Sequence, residues 1–598
     1  LTDSLKRLSQ EILPYILFPK IPIIRFAPEQ NECSCGKRLT VQKTQRKTVV
    51  SLNGRFIAHQ TVRHCKACLH VYDSKALLQL VASCCNVAYD VLVFAGKALF
   101  QRYRTAEEVR TELLDRGVRL SASEINYLGR KFICYLAHGH RLAMPRINQA
   151  MTLTGGYILH LDAMHEHDAP ALMTGIDSLS KIVLANMKLP SEHTDHITHF
   201  LRKLKADHGT PIACVHDMGS GILKAVAEVF TGVRNFICHF HFLRDIGKDY
   251  LNSSYDRLRK RLRHHTTSSR LQAIIREGQH FLRAHDYNAA SLVQAFESAQ
   301  NLEQNKRVLS TASAYSLSLW TLHGKHCGDG YGFPFDRPLL EFANRLIKLH
   351  QCLPELLHLG ADRREHPLLY KLVSLSSDIA QDTELIAAVD ELIWRCEIFD
   401  RLRIAMRIAP VGGSNGINDE GTTKAMSSIR HDVEQFRCKL EPRLSADALS
   451  SKMAEQIDKY GDKLFADPIE VDTPSGKSII YPQRTNNILE QFFRGIRRKH
   501  RRKTGNNSMQ KVLQTMLSDT PLIKNLDNPK YMDILLDGKA SLEELFAGIG
   551  NISFDDTVES KADTDRVLPG FRKLAKKPTL PDQVVRLYHF LLQLAESN

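Results

Sequence analysis

Cysteine is scarce in this chain, 13 residues in 598. That excludes a disulfide-stapled scaffold and fits a reducing compartment, cytoplasm or nucleus. Long apolar runs are missing as well. The most apolar stretch, Ala76 to Gly96, is interrupted by Gln79, Asn86 and Asp90, short of the ~18–20 uncharged residues a membrane helix needs. The opening residues, LTDSLKRLSQEILPY, show no signal-peptide core, no cleavage site and no starting Met. The expectation is a chain without a secretory leader, trimmed or begun at another start codon. No internal repeat is present. Acids are outnumbered: 66 Asp+Glu stand against 81 Lys+Arg, a net charge of +15. The resulting pI of about 9.1 suits a polyanion such as nucleic acid or acidic lipid. With 43% hydrophobic and 25% charged residues, global disorder and fibrous architectures are excluded. At ~150 residues per domain, about four domains or one large and a few small are expected.

Along the chain, residues 1–73 read as a lead-in with Pro14, Pro19, Pro22 and Pro28, then β-like segments among four cysteines. Asn53-Gly54 signals a hairpin there. Residues 74–150 turn helical. Within 151–241, short apolar strands (YILHLDAM, ALMTGID, KIVLANMKL, PIACVHD, VRNFIC) alternate with two amphipathic stretches (EHTDHITHFLRKLKAD, SGILKAVAEVF). The order β-β-β-α-β-α-β predicts a mixed sheet covered by helices. Residues 242–480 are helical by periodicity, with a loop at 410–423. A basic helix occupies 481–510, and 511–598 reads as a helical tail for docking or multimerisation.

Cys33-x-Cys35 and Cys65-x-x-Cys68 flank the hairpin. Two tight turns, each presenting two thiolates, supply the tetrahedron that a structural Zn²⁺ ion wants. His64 and His70 are alternative ligands, and four thiols without metal are the plain reading. Between Tyr103 and Ala137, Thr105 and Ser121 can cap two helices separated by Asp115-Arg116-Gly117. Val109, Leu113, Leu114, Ile125 and Leu128 would share one core. The pair reads as a helix-turn-helix for DNA or as a simple helical pair.

Three acids are distinguished by placement. Asp162 ends the run Tyr157-Ile-Leu-His-Leu-Asp. Asp217 follows Ile212-Ala-Cys-Val-His and precedes a Gly-Ser-Gly turn. Glu490 lies in Thr485-Asn-Asn-Ile-Leu-Glu-Gln-Phe-Phe-Arg. An ionised carboxylate at a core strand end is costly unless paired or metal-bound. Two from neighbouring strands and one from a packed helix can hold two Mg²⁺ or Mn²⁺ ions for phosphodiester chemistry. From Arg494 to Lys503, seven of ten residues are Arg or Lys, with no acid. Arg494, Arg497, Arg498, Lys499, Arg501, Arg502 and Lys503 are the candidate phosphate-binding cations.

These features resemble the RNase H-like fold of DDE transposases. The strand order with Asp162 on the first strand and Asp217 after the fourth is similar to that family. Cys238-His-Phe-His241 after the fifth strand is similar to the C/D-x-x-H signature of Mutator-like and hAT-like members, which also carry a long helical insertion there. TNNILEQFFRGIRRKHRRKTG resembles the helix bearing the last Glu in bacterial insertion-sequence transposases. The resemblance covers roughly 155–240 and 480–510. Where relatives often have Asp-Gly or Asp-Glu-Thr, this chain has Asp162-Ala163-Met164-His165, leaving Glu166 and Asp168 as rivals for the first ligand.

The resemblance implies a multidomain α/β and α protein: an N-terminal zinc ribbon, a helix-turn-helix, and an RNase H-like mixed sheet with a large all-helical insertion. It implies a DNA transposase that binds mobile-element ends and performs Mg²⁺-dependent cleavage and strand transfer through Asp162, Asp217 and Glu490, with Cys238 and His241 in support. Double-stranded DNA, at the element ends and the target, and further copies of the chain would be its partners, in a bacterial cytoplasm at the nucleoid. A transposase-derived regulator that no longer cuts and an RNase H-like structure-specific nuclease are the alternatives.

Overall fold

The computed structural model describes residues 21–285, 306–326, 328, 330–358, 363–408, 423–443 and 445–551. They divide into two units, one formed by the chain up to Phe236 and from Pro468 onward, the other by Ile237–Asp467.

The first unit opens with β1 (Ile23–Phe26), β2 (Thr40–Ser51), β3 (Gly54–His64) and β4 (Val71–Tyr72). β3 pairs antiparallel with β2 and β4 and parallel with β1. The hairpin is where the sequence puts it, but Ser51 pairs with Gly54, so Leu52-Asn53 form the loop and Gly54 carries the positive φ of 108°. Short helices α1 (Lys75–Leu80) and α2 (Tyr89–Gly96) lead to α3 (Ala106–Asp115) and α4 (Ala122–Leu153). Thr105 with Glu108, and Ser121 with Glu124, close full capping boxes, each cap contributing about 1 kcal/mol. Gly117, at φ 76°, makes the turn between them. Two details differ from expectation. Leu114 is 44% exposed, and buried Val118 takes its place beside Val109, Leu113 and Ile125. The second helix runs on to Leu153, because its buried positions continue through Ala143, Ile147 and Met151.

Gly155 and Gly156, at φ 84° and 119°, turn α4 into the central sheet, and a Cβ on Gly155 would lie 2.5 Å from Val471. The sheet comprises β5 (Ile158–Met164), β6 (Ala171–Asp177), β7 (Ile182–Leu189), β8 (Ala213–His216) and β9 (Arg234–Ile237). Helices α5 (Thr194–His208) and α6 (Ser220–Val229) fall between β7 and β8 and between β8 and β9. The strand order is β7-β6-β5-β8-β9. β5 is antiparallel to β6 and parallel to β8, so the sheet is mixed. β6 is buried along its whole length, as a strand covered on both faces must be.

The second unit is helical: α7 (His239–His264), α8 (Thr267–Ala284), α9 (Lys306–His323), α10 (Pro338–His358), α11 (Pro367–Ala380), α12 (Thr383–Met406), α13 (Thr423–Leu440) and α14 (Ala448–Leu464). Buried ion pairs tie it together. Asp382 caps α12 through the Leu385 amide and accepts from Arg261 and His265. Asp400 takes a bidentate pair from Arg337 and a further bond from Arg403. The expected loop at 410–423 lies almost wholly outside the described residues.

Back in the first unit, β10 (Ile469–Thr473) and β11 (Gly476–Ile480) form a hairpin in a stretch whose periodicity reads as helical. Then come α15 (Asn487–Thr504), α16 (Gln510–Thr515), α17 (Pro529–Leu536) and α18 (Leu542–Ile549). The described part of the C-terminal stretch is bound into the core. Asn525 exchanges two bonds with the Val183 backbone, and Tyr531 stacks on and bonds to buried His140. Residues 552–598 lie outside the described part. Among the described residues no helix is long and apolar enough to cross a membrane.

Candidate functional site

The four N-terminal cysteines converge. Their sulfur atoms all lie within 4.8 Å of one another, with Cys33–Cys68 at 3.2 Å and Cys35–Cys65 at 3.5 Å. A tetrahedron with Zn–S bonds of ~2.3 Å has edges of ~3.8 Å, so the thiols fit zinc. Two knuckles produce this geometry: Gly36 (φ 79°) in the first and Leu69 (φ 62°), 75% exposed, in the second. The Cys35 backbone amide and then the Tyr72 hydroxyl hold the Cys33 thiol down to about 5. Tyr72 lies 3.2 Å from Cys33 and His70 3.4 Å from Cys68, so both stand around the sulfurs. His70 is thus a neighbour of the cluster, and the cluster could hold zinc with cysteine alone.

The acids sit where strand register and a helix put them. β5 and β8 pair Ile158 with Ala213 and His160 with Val215. Two residues beyond that register lie Asp162, still on β5, and Asp217, just past the end of β8. Both are half-buried. Burial first, and the Asp217 charge second, push the Asp162 carboxyl up to about 8; Glu490 and Glu192 add to this, and the Ala163 amide opposes it. Such mutual repulsion is what a cation would relieve. Asp217 Oδ1 accepts from the Gly219 amide at 3.1 Å, which folds the turn into α6. The oxygens of Asp162, Asp217 and Glu490 do not form a group lying wholly within 4.8 Å among the described residues. Hard oxygen donors of this kind suit Mg²⁺ or Mn²⁺.

A tether unread in the sequence positions α15. Buried His160, two residues before Asp162 and so on the same side of β5, bonds through Nδ1 to Asn486 Oδ1 at 3.0 Å. Asn486 Nδ2 donates to the Leu161 carbonyl at 2.8 Å. Burial pushes the His160 imidazole down to about 4, so it stays neutral. Glu490 lies one turn after Asn486, on the same helix side. The signal for it was a histidine inside an otherwise apolar strand and the paired asparagines ahead of the helix.

The basic run divides by side. Arg494, Arg497, Arg498, Arg501 and Arg502 are exposed or partly so. Lys499 and Lys503 are half-buried and turn inward, Lys499 lying 4.2 Å over the Tyr103 ring. On the preceding helical pair, Ser123, Asn126, Tyr127 and Arg130 make an exposed strip.

The rival acids, the supporting pair and their polar and aromatic neighbours fall as follows. Glu166 accepts from the Met509 amide at 2.8 Å, and Asp168 is exposed in the β5–β6 loop. His165 and His167 are exposed on that loop, His165 paired with Glu192. Asp177 is the buried last residue of β6, and its carboxylate accepts from the amides of Ile158, Leu179 and Ser180. Cys238 precedes α7 of the second unit and His241 lies in its first turn, both buried. Trp320 is 39% exposed on α9, whereas Phe335 is buried.

No protein-family model matches the chain, and no curated protein matches it. The chain is similar to a solved structure, the Drosophila P element transposase strand transfer complex, at 11% identity over 76% of this chain and 92% of that one. The TM-score is 0.28, and a likeness at that score carries no argument about fold or activity.

Proposed function

We propose that the chain is a DNA transposase built on an RNase H-like sheet, cutting and joining DNA at the ends of a mobile element. The observation that carries this reading is that Asp162 lies on β5 and Asp217 just past the end of the neighbouring parallel strand β8, near enough for the Asp217 charge to add to burial in raising the Asp162 carboxyl, with the Glu490 helix tied to β5 through His160 and Asn486. Asp162, Asp217 and Glu490 would hold divalent cations. Bound there, the cations supply electrostatic stabilisation to the charge that develops on a phosphodiester. The five outward arginines of α15 would neutralise backbone phosphates and set the DNA against the acids. Lys499 and Lys503 take no part in that neutralisation. The four-cysteine centre, with structural zinc, and the exposed strip of α4 would recognise the ends. Joining two ends calls for two or more copies of the chain.

The test is nicking of a supercoiled plasmid that carries the DNA flanking the coding sequence, with Mg²⁺ or Mn²⁺. Nicked and joined products that disappear in Asp162→Asn and Glu490→Gln support the reading. Cleavage that survives both substitutions sinks it. A second reading is a DNA-binding regulator that does not cut; the observation behind it is that the three acids do not form a group lying wholly within 4.8 Å among the described residues. Tight binding of the same DNA with no nicking under either metal selects it.

A further inference from the structure

Behind α15, on the side away from its arginines, lies a cavity of about 580 Å³. Its floor is apolar: Leu99, Ile176, Val183, Phe492, Met509 and Ile523 all line it and are all buried. Four lysines line it too, Lys181, Lys499, Lys503 and Lys524. Lys181 and Lys524 are exposed and mark the opening, with Lys499 and Lys503 deeper. Among the described residues, Lys524 alone of the four has an acid of its own, Asp527 at 2.9 Å, which Gln101 also engages at 2.7 Å. The side chains of Lys503 and Lys181 make no hydrogen bond or salt bridge among the described residues. Burial drives both Lys499 and Lys503 below the ordinary lysine range, and Glu108 only partly offsets this for Lys503.

A second observation comes from Gly495, which lines the same space in mid-helix. Glycine is the poorest helix former after proline, and it is kept here although a Cβ would meet no atom within 4 Å. A side chain at this position would enter space that is now open.

Cavities of this size and character hold small ligands, and the charge pattern says which kind. We propose that this cavity binds an amphipathic anion, an apolar chain or ring body on the floor with one carboxylate or phosphate head between Lys499 and Lys503. A nucleobase fits less well, since the six floor side chains offer nothing to its polar edges. The ligand would stiffen α15 from behind, and its binding does not depend on the reading of the acids.

The experiment is calorimetric titration of the full chain with dodecanoate and with dodecan-1-ol, which shares the chain but lacks the charge. Dodecanoate should bind one per chain and about tenfold tighter than the alcohol, the worth of one charge-assisted hydrogen bond. Lys499→Gln/Lys503→Gln should erase that difference, and Gly495→Leu, which narrows the space, should weaken binding of both by about tenfold while circular dichroism stays unchanged. Val512→Phe, from the opposite wall, is the second narrowing variant should the first not fold. Equal affinity for acid and alcohol overturns the proposal, as does dodecanoate affinity that is unchanged in a folded narrowing variant.

Discussion

Asp162, on β5, and Asp217, one residue past the end of β8, stand at the same end of two adjacent parallel strands, two residues beyond the register that joins His160 to Val215. Burial first, and repulsion from the Asp217 carboxylate second, raise the Asp162 proton affinity. Replacing either by Asn removes the repulsion along with the metal ligand. Asp162→Asn is expected to leave stability unchanged or raised, while metal-dependent DNA cleavage drops by about three orders of magnitude or more. Urea unfolding beside the nicking assay checks both; a destabilised, still active variant contradicts the assignment.

The His160–Asn486 tether predicts energetic coupling across more than three hundred residues of chain. Asn486→Ala strands a buried imidazole nitrogen and is expected to cost about 1–3 kcal/mol. In a double-mutant cycle with His160→Ala the coupling should reach about 1 kcal/mol. Additive effects would show that the bond carries no weight.

The two sides of α15 should separate in salt titrations. Arg497→Gln/Arg501→Gln is expected to lower the slope of log affinity for DNA against log salt by about 2, one for each phosphate no longer neutralised. Lys499→Gln/Lys503→Gln should change it by much less. Equal changes would mean that both faces meet DNA.

For the four-cysteine centre, freshly purified protein is expected to hold about one zinc per chain, removed by Cys65→Ser. Chelation should expose residues 31–72 to proteolysis and spare the central sheet. Protein without metal whose N-terminal region resists protease would leave the cluster as plain thiols.

In the helical unit, hydrogen bonds from His265, the Leu385 amide and Arg261 overcome the effect of burial and hold Asp382 at about 2. Its value is depressed relative to the unfolded chain, so its contribution is complete above pH ~4 and lost as the pH falls toward 2. Asp382→Asn should therefore cost about 1–2 kcal/mol at pH 6, a deficit that shrinks below pH 4. Urea midpoints for both proteins across that range decide the matter; a deficit constant with pH would assign the loss to geometry alone.

Much of this was legible because local signals agreed with each other. The two capping boxes are written as Thr105-x-x-Glu108 and Ser121-x-x-Glu124, and the five strands follow their apolar runs almost residue for residue. What stayed hidden depended on distant partners. Leu114 fits a helical core stripe, yet Val118 fills the site from the turn. The division of the basic run depends on Tyr103, nearly four hundred residues away, which draws Lys499 inward. The Asn486 tether joins His160, visible inside an apolar strand, to a partner 326 residues away that the strand itself does not announce. The 469–480 hairpin is short and exposed on one strand, so periodicity had little to read.

The tether also makes α15 a lever with its fulcrum at Asn486. At ~1.5 Å per residue, Glu490 sits about 6 Å from that fulcrum and Lys503 about 25 Å. A rigid tilt that swings the basic end by a given distance moves Glu490 by about a quarter as much. Load taken up by the arginines at the far end therefore reaches the acid demultiplied, as a fine adjustment of its position rather than a displacement.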